Sequence, residues 1–331
     1  MTDKTLATLD LSESVIDVDQ MYEYRLSRVQ QALAQRNIAA MLTYDPVNTR
    51  YATGMRNMQP WALHTVIRMA FIPAEGRVTL FEYAGSEHLA DGLTTVAEVR
   101  PSTSLQFGPN LSAVERDSKL RRWTDEVTAL MDLQCGGERR LAVDNQVPYS
   151  AVMSLQHRGY DLVDGYAVMC AAHNIKNEDE SRAMVKSVRV AEEGVRRLRD
   201  ELVPGRTKND LWAILNHVNT ASGGEYLDTR LLSSGARTNP WYQESGERVV
   251  QAGDMVALDT DMIGPYGYDA DISRSFVCAP ERATNRQKDI YKIAHEHVQH
   301  NVAILRPASP LESCRRLGSM CQRLIASRAF R

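Results

Sequence analysis

Three aspartates around one apolar run are the residues best suited to chemistry. Asp259 and Asp261 follow the run 255–258 directly, and Asp271 comes after the turn-forming segment 264–267. The run predicts a strand, on which side chains two apart share a face, and the turn allows the chain to return beside them. Carboxylates gathered in this way repel one another and raise one another's pKa. The pattern therefore predicts oxygen ligands for a divalent metal, with two ions bridged by a carboxylate as a reasonable arrangement.

A solvated acidic turn is the alternative that the residues alone leave open, since Asp is common in turns. A calcium loop of the EF-hand type is excluded. Asp259, Asp261 and Gly264 match its first, third and sixth positions, but Ile263 replaces one ligand and Ala270 replaces the closing glutamate.

The elements that must position these side chains fall into two halves. Alternating helical and strand periodicities predict an α/β domain for the first half, and a long charged helix followed by strands and helices predicts α+β structure for the second. We expect the two domains to span 1–172 and 173–331. The predicted elements of the first are a helix at 21–35, a strand at 38–42, a hairpin of 66–72 and 78–83, a helix at 119–131, a strand at 140–144 and a helix at 150–158.

The second half is marked by helix caps and stops. Pro204 and Gly205 end the long helix, and Thr207 begins the next one. The other predicted elements are a helix at 178–202, strands at 230–233 and 255–258, and two helices that begin at Thr284 and Ser309.

Composition narrows the class of protein. The net charge of -3 offers no broad basic surface for nucleic acid. Five cysteines without a CxxC pair favour a reducing compartment, and no apolar stretch reaches the roughly 20 residues that a membrane helix requires. We expect a cytoplasmic protein with a small substrate and no nucleic-acid or membrane partner.

Several segments resemble one family. The Asp-x-Asp, Gly-Tyr and Asp-Ile-Ser-Arg pattern within 259–274 resembles the metal-binding signature of the pita-bread metallopeptidases, which include creatinase and aminopeptidase P. The segment 45–54 resembles the N-terminal motif of that family, and 203–207 resembles its linker. The resemblance implies a creatinase-like α/β domain followed by an incomplete α+β pita-bread domain. It also implies a homodimer and two divalent ions at Asp259, Asp261 and Asp271, with iron first and manganese or zinc as alternatives.

Two departures from the peptidases bear on the reaction. The segment 239–242, Asn-Pro-Trp-Tyr, stands where family peptidases carry a histidine that contacts the scissile amide, and Asp261 stands where glycine is common. Both departures resemble the dimethylsulfoniopropionate lyase branch of the family. That resemblance implies a β-elimination that yields dimethyl sulfide and acrylate. Trp241, Tyr242 and Trp61 are the expected substrate-binding residues, because an aromatic face attracts a sulfonium by about 0.5–2 kcal/mol.

Other readings of the resemblance remain. An Xaa-Pro aminopeptidase or dipeptidase, a creatinase-like amidinohydrolase and a non-catalytic binding protein are the alternatives. The family completes its metal site with a histidine and two glutamates further along the chain, so we expect a C-terminally truncated sequence. Weak metal binding and impaired activity are expected with it, and the general base, which we leave unassigned, is expected beyond Arg331.

Overall fold

A computed structural model describes residues 15–106 and 109–305 of the chain. The chain divides into two compact units, Met1–Ser187 and Val188–Arg331. The domain bounds that the sequence predicts, 1–172 and 173–331, stay a prediction. The helix predicted from Ser309 lies outside the described residues. Within the described ranges, no helix is long and apolar enough to cross a membrane.

The first unit is built on a six-stranded mixed sheet with helices on both faces. The elements are α1 Val18–Ala34, β1 Ala40–Thr43, α2 Pro46–Thr53, α3 Gln59–Ala62, β2 Met69–Pro73, β3 Val78–Glu82, β4 Val96–Pro101, α4 Ala113–Gln134, β5 Arg140–Val143, α5 Tyr149–His157, β6 Asp161–Asp164 and α6 Tyr166–His173. The strand order is β4-β3-β2-β1-β5-β6. β1 pairs antiparallel with β2 and parallel with β5, so antiparallel and parallel pairing meet at the centre of the sheet.

Side-chain alternation along the central strands divides the core of this unit in two. Met41 joins the core under α1, together with Leu26 and Leu33, whereas Leu42 joins the core that contains Trp123 of α4. Successive residues of a strand point to opposite faces, so a strand covered on both sides is buried throughout. The predicted α/β class is thereby confirmed for this half.

The helix predicted at 119–131 is longer than its apolar periodicity indicates. It begins at Ala113, because Ser112 and Glu115 form a capping box that satisfies two backbone N–H groups of the first turn. The first turns of α4 are exposed, so they carry no apolar stripe and only the cap marks them. The predicted hairpin is present as β2 and β3, which pair antiparallel.

The second unit combines helices with two small sheets. Its elements are the C-terminal part of α7 Glu178–Asp200, then α8 Lys208–Ala221, β7 Tyr226–Leu227, β8 Leu232–Ser234, β9 Met255–Leu258, β10 Met262–Ile263, β11 Asp269–Ala270, β12 Arg274–Val277 and α9 Asn285–Ile304. One sheet has the order β12-β9-β8 and the other β11-β10-β7, with antiparallel pairing throughout. The predicted α+β class of this half is confirmed.

The core of the second unit lies between its helices and both sheets. Leu198 of α7 and Leu215 of α8 belong to one buried cluster with Leu258 of β9 and Met262 of β10. β9 and β10 are separated by three residues only, so burial of the residues on both sides fixes where that short connection lies. The connection contains two of the predicted metal ligands.

Candidate metal centre

Asp259 and Asp261 lie in the connection between the two small sheets. β9 ends at Leu258, so strand alternation does not align the two carboxylates as the sequence pattern suggests. Asp261 instead adopts a left-handed backbone conformation, with φ of 36°, a region that favours glycine. Backbone hydrogen bonds hold both residues, since the Asp259 N–H donates to the Leu231 carbonyl at 3.0 Å and the Asp261 carbonyl accepts from the Asp228 N–H at 2.9 Å.

The hairpin of β10 and β11 brings Asp271 back to this connection. Met262 pairs with Ala270 across the hairpin, and Asp261 and Asp271 are the next residues outward on the two arms. One oxygen from each of the three carboxylates lies within 4.8 Å of the others. Among the residues that the structure describes, this is the one group of three or more acidic, histidine or cysteine side chains close enough to share a metal ion. Metal binding by the group stays a prediction.

Hydroxyl groups orient two of these carboxylates directly. The Ser273 hydroxyl donates to Asp259 Oδ1 at 2.7 Å, and the Thr229 hydroxyl donates to Asp261 Oδ2 at 2.6 Å. Each bond uses one oxygen of a carboxylate that has two, so lone pairs remain for a cation. Hydrogen bonds of this kind to metal ligands fix the ligand orientation in metalloproteins.

A third hydroxyl acts on the backbone around Asp271. The fully buried Thr260 donates to the Ala270 carbonyl at 2.7 Å and accepts from the Ile272 N–H at 2.8 Å. The residue between Ala270 and Ile272 is Asp271. One hydroxyl group therefore holds the backbone on both sides of this carboxylate.

Three acidic residues in this region have a raised proton affinity. A hydrogen bond to Asp259, partial burial and the charges of Asp259, Asp261 and Asp269 raise the pKa of Asp271 to about 6. Burial and the charge of Asp261 raise the pKa of Asp269 and also that of Asp228. Such a donor set relieves its repulsion by binding a cation, and all-oxygen ligands suit a hard or borderline divalent ion. The residues present therefore fit the metal that the family implies.

The sequence pattern did not identify the three hydroxyl residues. Ser273 and Thr260 stand within the acidic motif itself, so their proximity in sequence was an available signal. Thr229 lies far from the motif in sequence and gives no local signal. Only the pairing of β7 with β10 brings its segment beside Asp261.

The loop that carries Trp241 and Tyr242 returns to the sheet beside the acidic connection. Glu244 forms an isolated β-bridge with Leu231, the same residue whose carbonyl accepts the Asp259 N–H. Trp241 is half-buried, Tyr242 is 79 % exposed, and their ring centroids are 6.5 Å apart. The two rings thus project from a loop anchored next to the acidic residues. Their role in substrate binding stays a prediction.

The same loop is held by a buried lysine. Lys208 Nζ donates to the Glu244 carbonyl at 2.7 Å, and the Ser233 hydroxyl donates to the Gln243 carbonyl at 3.1 Å. Burial lowers the pKa of Lys208, and the positive charge of Arg237 acts in the same direction. These bonds fix the end of the aromatic loop against α8 and β8.

Trp61, the third predicted aromatic residue, belongs to the first unit. It lies on α3, is 55 % exposed, and donates from its indole Nε1 to the Tyr83 hydroxyl at 2.8 Å. This contact accounts for the orientation of the ring. A role of Trp61 in substrate binding stays a prediction.

Comparisons with known proteins agree with this architecture. Residues 25–169 match the Creatinase/Prolidase N-terminal domain, and residues 182–331 match Metallopeptidase family M24. The prolidase structure from Pyrococcus horikoshii OT3 is similar to this chain with a TM-score of 0.69 at 19 % identity, and the match covers 92 % of this chain and 78 % of the prolidase chain. At that identity the likeness shows the fold alone.

Two curated relatives are closer in sequence. The chain is 36 % identical over 308 residues to the dimethylsulfoniopropionate lyase DddP of Roseobacter denitrificans, covering 91 % of this chain and 67 % of the relative. It is 34 % identical over 300 residues to the DddP of Roseovarius nubinhibens, covering 88 % and 66 %. The chain thus spans about two thirds of the length of the curated relatives it matches. The chain belongs to the family of the DddP lyases, and it combines a creatinase-type N-terminal domain with an M24 metallopeptidase domain.

Proposed function

We propose that this chain acts as a metal-dependent dimethylsulfoniopropionate lyase, with Asp259, Asp261 and Asp271 among the ligands of its metal. The observation that carries the proposal is the convergence of Asp259, Asp261 and Asp271 in a chain that is 36 % identical to a DddP lyase. The position of Asp261 adds weight, because a carboxylate occupies a left-handed position there. Tolerating that conformation costs free energy, and a ligand role gives a reason to retain it.

The three aspartates would hold the metal. A bound divalent cation would supply Lewis acidity to a substrate carboxylate and so acidify the adjacent carbon. The hydroxyls of Ser273 and Thr229 keep two of the aspartates turned toward one another. Iron as the metal and a pair of ions as the number remain predictions from the family resemblance.

The aromatic loop would bind the other end of the substrate. Dimethylsulfoniopropionate is a zwitterion with a sulfonium at one end and a carboxylate at the other. A sulfonium over the face of Trp241 or Tyr242 would gain about 0.5–2 kcal/mol. The exposure of Tyr242 and the anchoring of the loop beside Asp259 support this assignment. Trp61 is proposed as a further aromatic contact.

The reaction would be an elimination that consumes no water. A base removes the proton from the carbon next to the carboxylate, and the electron pair forms the carbon–carbon double bond. The carbon–sulfur bond breaks, and its pair leaves with dimethyl sulfide. The products are dimethyl sulfide, acrylate and one proton. The base is not assigned to any residue of this chain.

The test combines turnover with metal binding. Purified chain loaded with iron, manganese or zinc is mixed with dimethylsulfoniopropionate, and released dimethyl sulfide and acrylate are measured by gas and liquid chromatography. Asp261→Asn should reduce the metal affinity and the release of both products. Asp289→Asn, on the exposed surface of α9, is the matched control and should behave as the wild type. Silence with the sulfonium and turnover of an Xaa-Pro dipeptide would refute the lyase assignment.

Two alternative functions can be distinguished from the lyase by assays on the same purified chain. Hydrolysis of an Xaa-Pro dipeptide would indicate the activity named for the Xaa-Pro dipeptidase of Pyrococcus horikoshii, which is 23 % identical to this chain over 200 residues. Calorimetric binding of the sulfonium without products would indicate a non-catalytic binding protein. The greater identity to DddP lyases favours the lyase over both. A homodimer and a cytoplasmic location are proposed from the sequence only.

A further inference from the structure

Asp271 occupies a position that secondary structure does not hold. β11 ends at Ala270 and β12 begins at Arg274, so residues 271–273 lie outside both strand ladders. The Asp271 side chain is also exposed, and two other carboxylates have oxygens within 4.8 Å of its own. Like charges at this distance push it toward water. A specific restraint is therefore needed to keep it in place.

Thr260 supplies that restraint with a single hydroxyl group. Its oxygen donates to the Ala270 carbonyl at 2.7 Å and accepts from the Ile272 N–H at 2.8 Å, so both of its hydrogen-bonding roles are used on the residues adjoining Asp271. The side chain is fully buried, so water does not compete for these bonds. Thr260 lies between Asp259 and Asp261 in the chain, so its hydrogen bonds link the segment that carries these two aspartates to the segment that carries Asp271.

We propose that Thr260 is a positioning residue whose hydroxyl holds Asp271 opposite Asp259 and Asp261. The consequence for metal binding rests on the proposed function, whereas the positioning itself does not. The role belongs to the hydroxyl and not to the size of the side chain. Serine should therefore replace threonine, and valine, which has nearly the same shape, should not.

The first measurement is hydrogen exchange of the metal-free chain, read by mass spectrometry on peptides that contain the Ile272 amide. Thr260→Val removes the acceptor of that amide and should speed its exchange by about three- to tenfold. Thr260→Ser should stay within about twofold of the wild type. The control is Thr124→Val in the first unit, where a buried hydroxyl also makes two hydrogen bonds, to the Leu120 carbonyl and to Ser154.

The second measurement is calorimetric titration of the same variants with Mn²⁺. Thr260→Val should bind the ion about 10- to 100-fold more weakly than the wild type, because orienting partners of metal ligands have effects of this size. Thr260→Ser and Thr124→Val should bind as the wild type does. Loss of a buried hydroxyl can lower the melting temperature of both Thr260→Val and Thr124→Val. Only the loss of Asp271 positioning lowers the Mn²⁺ affinity of Thr260→Val and leaves that of Thr124→Val unchanged.

The outcomes distinguish this inference from the proposed function. Wild-type exchange at Ile272 in Thr260→Val overturns the inference, as does failure of serine to restore slow exchange. Failure of the wild type to bind Mn²⁺ counts against the proposed metal site, and the exchange data then decide the positioning role alone. If Thr260→Val does not fold, Thr260→Ala removes the same hydroxyl without adding a methyl group and is held to the same criteria.

Discussion

Replacing Gly224 by alanine is expected to destabilise the second unit strongly. A Cβ atom built on Gly224 lies 1.8 Å from Asn219 Oδ1, 2.5 Å from Asn219 Cγ and 3.0 Å from the Asn219 carbonyl. Asn219 is fully buried, and its Nδ2 donates to the Tyr226 carbonyl at 3.2 Å and to the Ile263 carbonyl at 3.1 Å. The methyl group can enter only if this side chain leaves its position.

The cost follows from the contacts that are lost. Overpacking of a buried site costs about 1–3 kcal/mol. The two hydrogen bonds from Asn219 contribute about 1 kcal/mol each. Together they predict a loss of about 3–5 kcal/mol for Gly224→Ala. The bonds hold β7 and β10, and β10 follows Asp261 directly, so the acidic group should be disturbed as well.

Urea-dependent hydrogen exchange, read on peptides of the second unit, gives the unfolding free energy of that unit separately from the first. For an m value of about 2 kcal/mol/M, the expected loss moves the midpoint by about 2 M. Gly246→Ala is the matched control, because no atom of the described residues other than its chain neighbours lies within 4 Å of its Cβ position, and its φ is not positive. The Asn219→Ala background should reduce the effect of Gly224→Ala, since the clashing side-chain atoms are absent there. Equal stability of Gly224→Ala and Gly246→Ala would refute this reasoning.

Four further predictions concern the acidic group and the aromatic loop. Thr229→Val should weaken Mn²⁺ binding about 10- to 100-fold in calorimetry, because Asp261 loses its orienting hydrogen bond. Thr229→Ser keeps the hydroxyl and should bind Mn²⁺ as the wild type does. Equal Mn²⁺ affinities of Thr229→Val and the wild type would contradict the role of this bond. Because the pKa of Asp271 is raised to about 6, protons should compete with the metal below pH 6, by up to about tenfold per pH unit, and Asp271→Asn should remove this dependence. The pKa of Asp271 is raised from an ordinary value of 3.8, so the metal-free folded state binds this proton more tightly than the unfolded state does. The stability of the metal-free chain should therefore fall as the pH rises from 3.8 to about 6, which melting curves recorded at several pH values would reveal. Trp241→Ala should weaken binding of the sulfonium substrate by about 0.5–2 kcal/mol in calorimetry while Trp241→Phe retains most of the affinity; no change with alanine would argue against the aromatic contact.

Most of the elements in the first unit were predictable because they are periodic. The largely apolar runs of β2 and β3 and the helical spacing in α1 depend on neighbouring residues, so the sequence contains the signal directly. The start of α4 was missed because its first turns are exposed and only the Ser112 cap marks them. The caps at Thr207 and Thr284 were predicted and are present, since capping depends on residues three positions apart.

The sequence by itself determined that carboxylates would follow a buried strand and its turn, and that the chain resembles a family with metal-binding aspartates. The tertiary structure decided how they meet. Asp261 is directed by a left-handed backbone and by Thr229 from another strand, and Asp271 is held by the hydroxyl of Thr260. Local patterns report on residues a few positions apart, whereas these contacts join segments that become neighbours only after the sheets have paired.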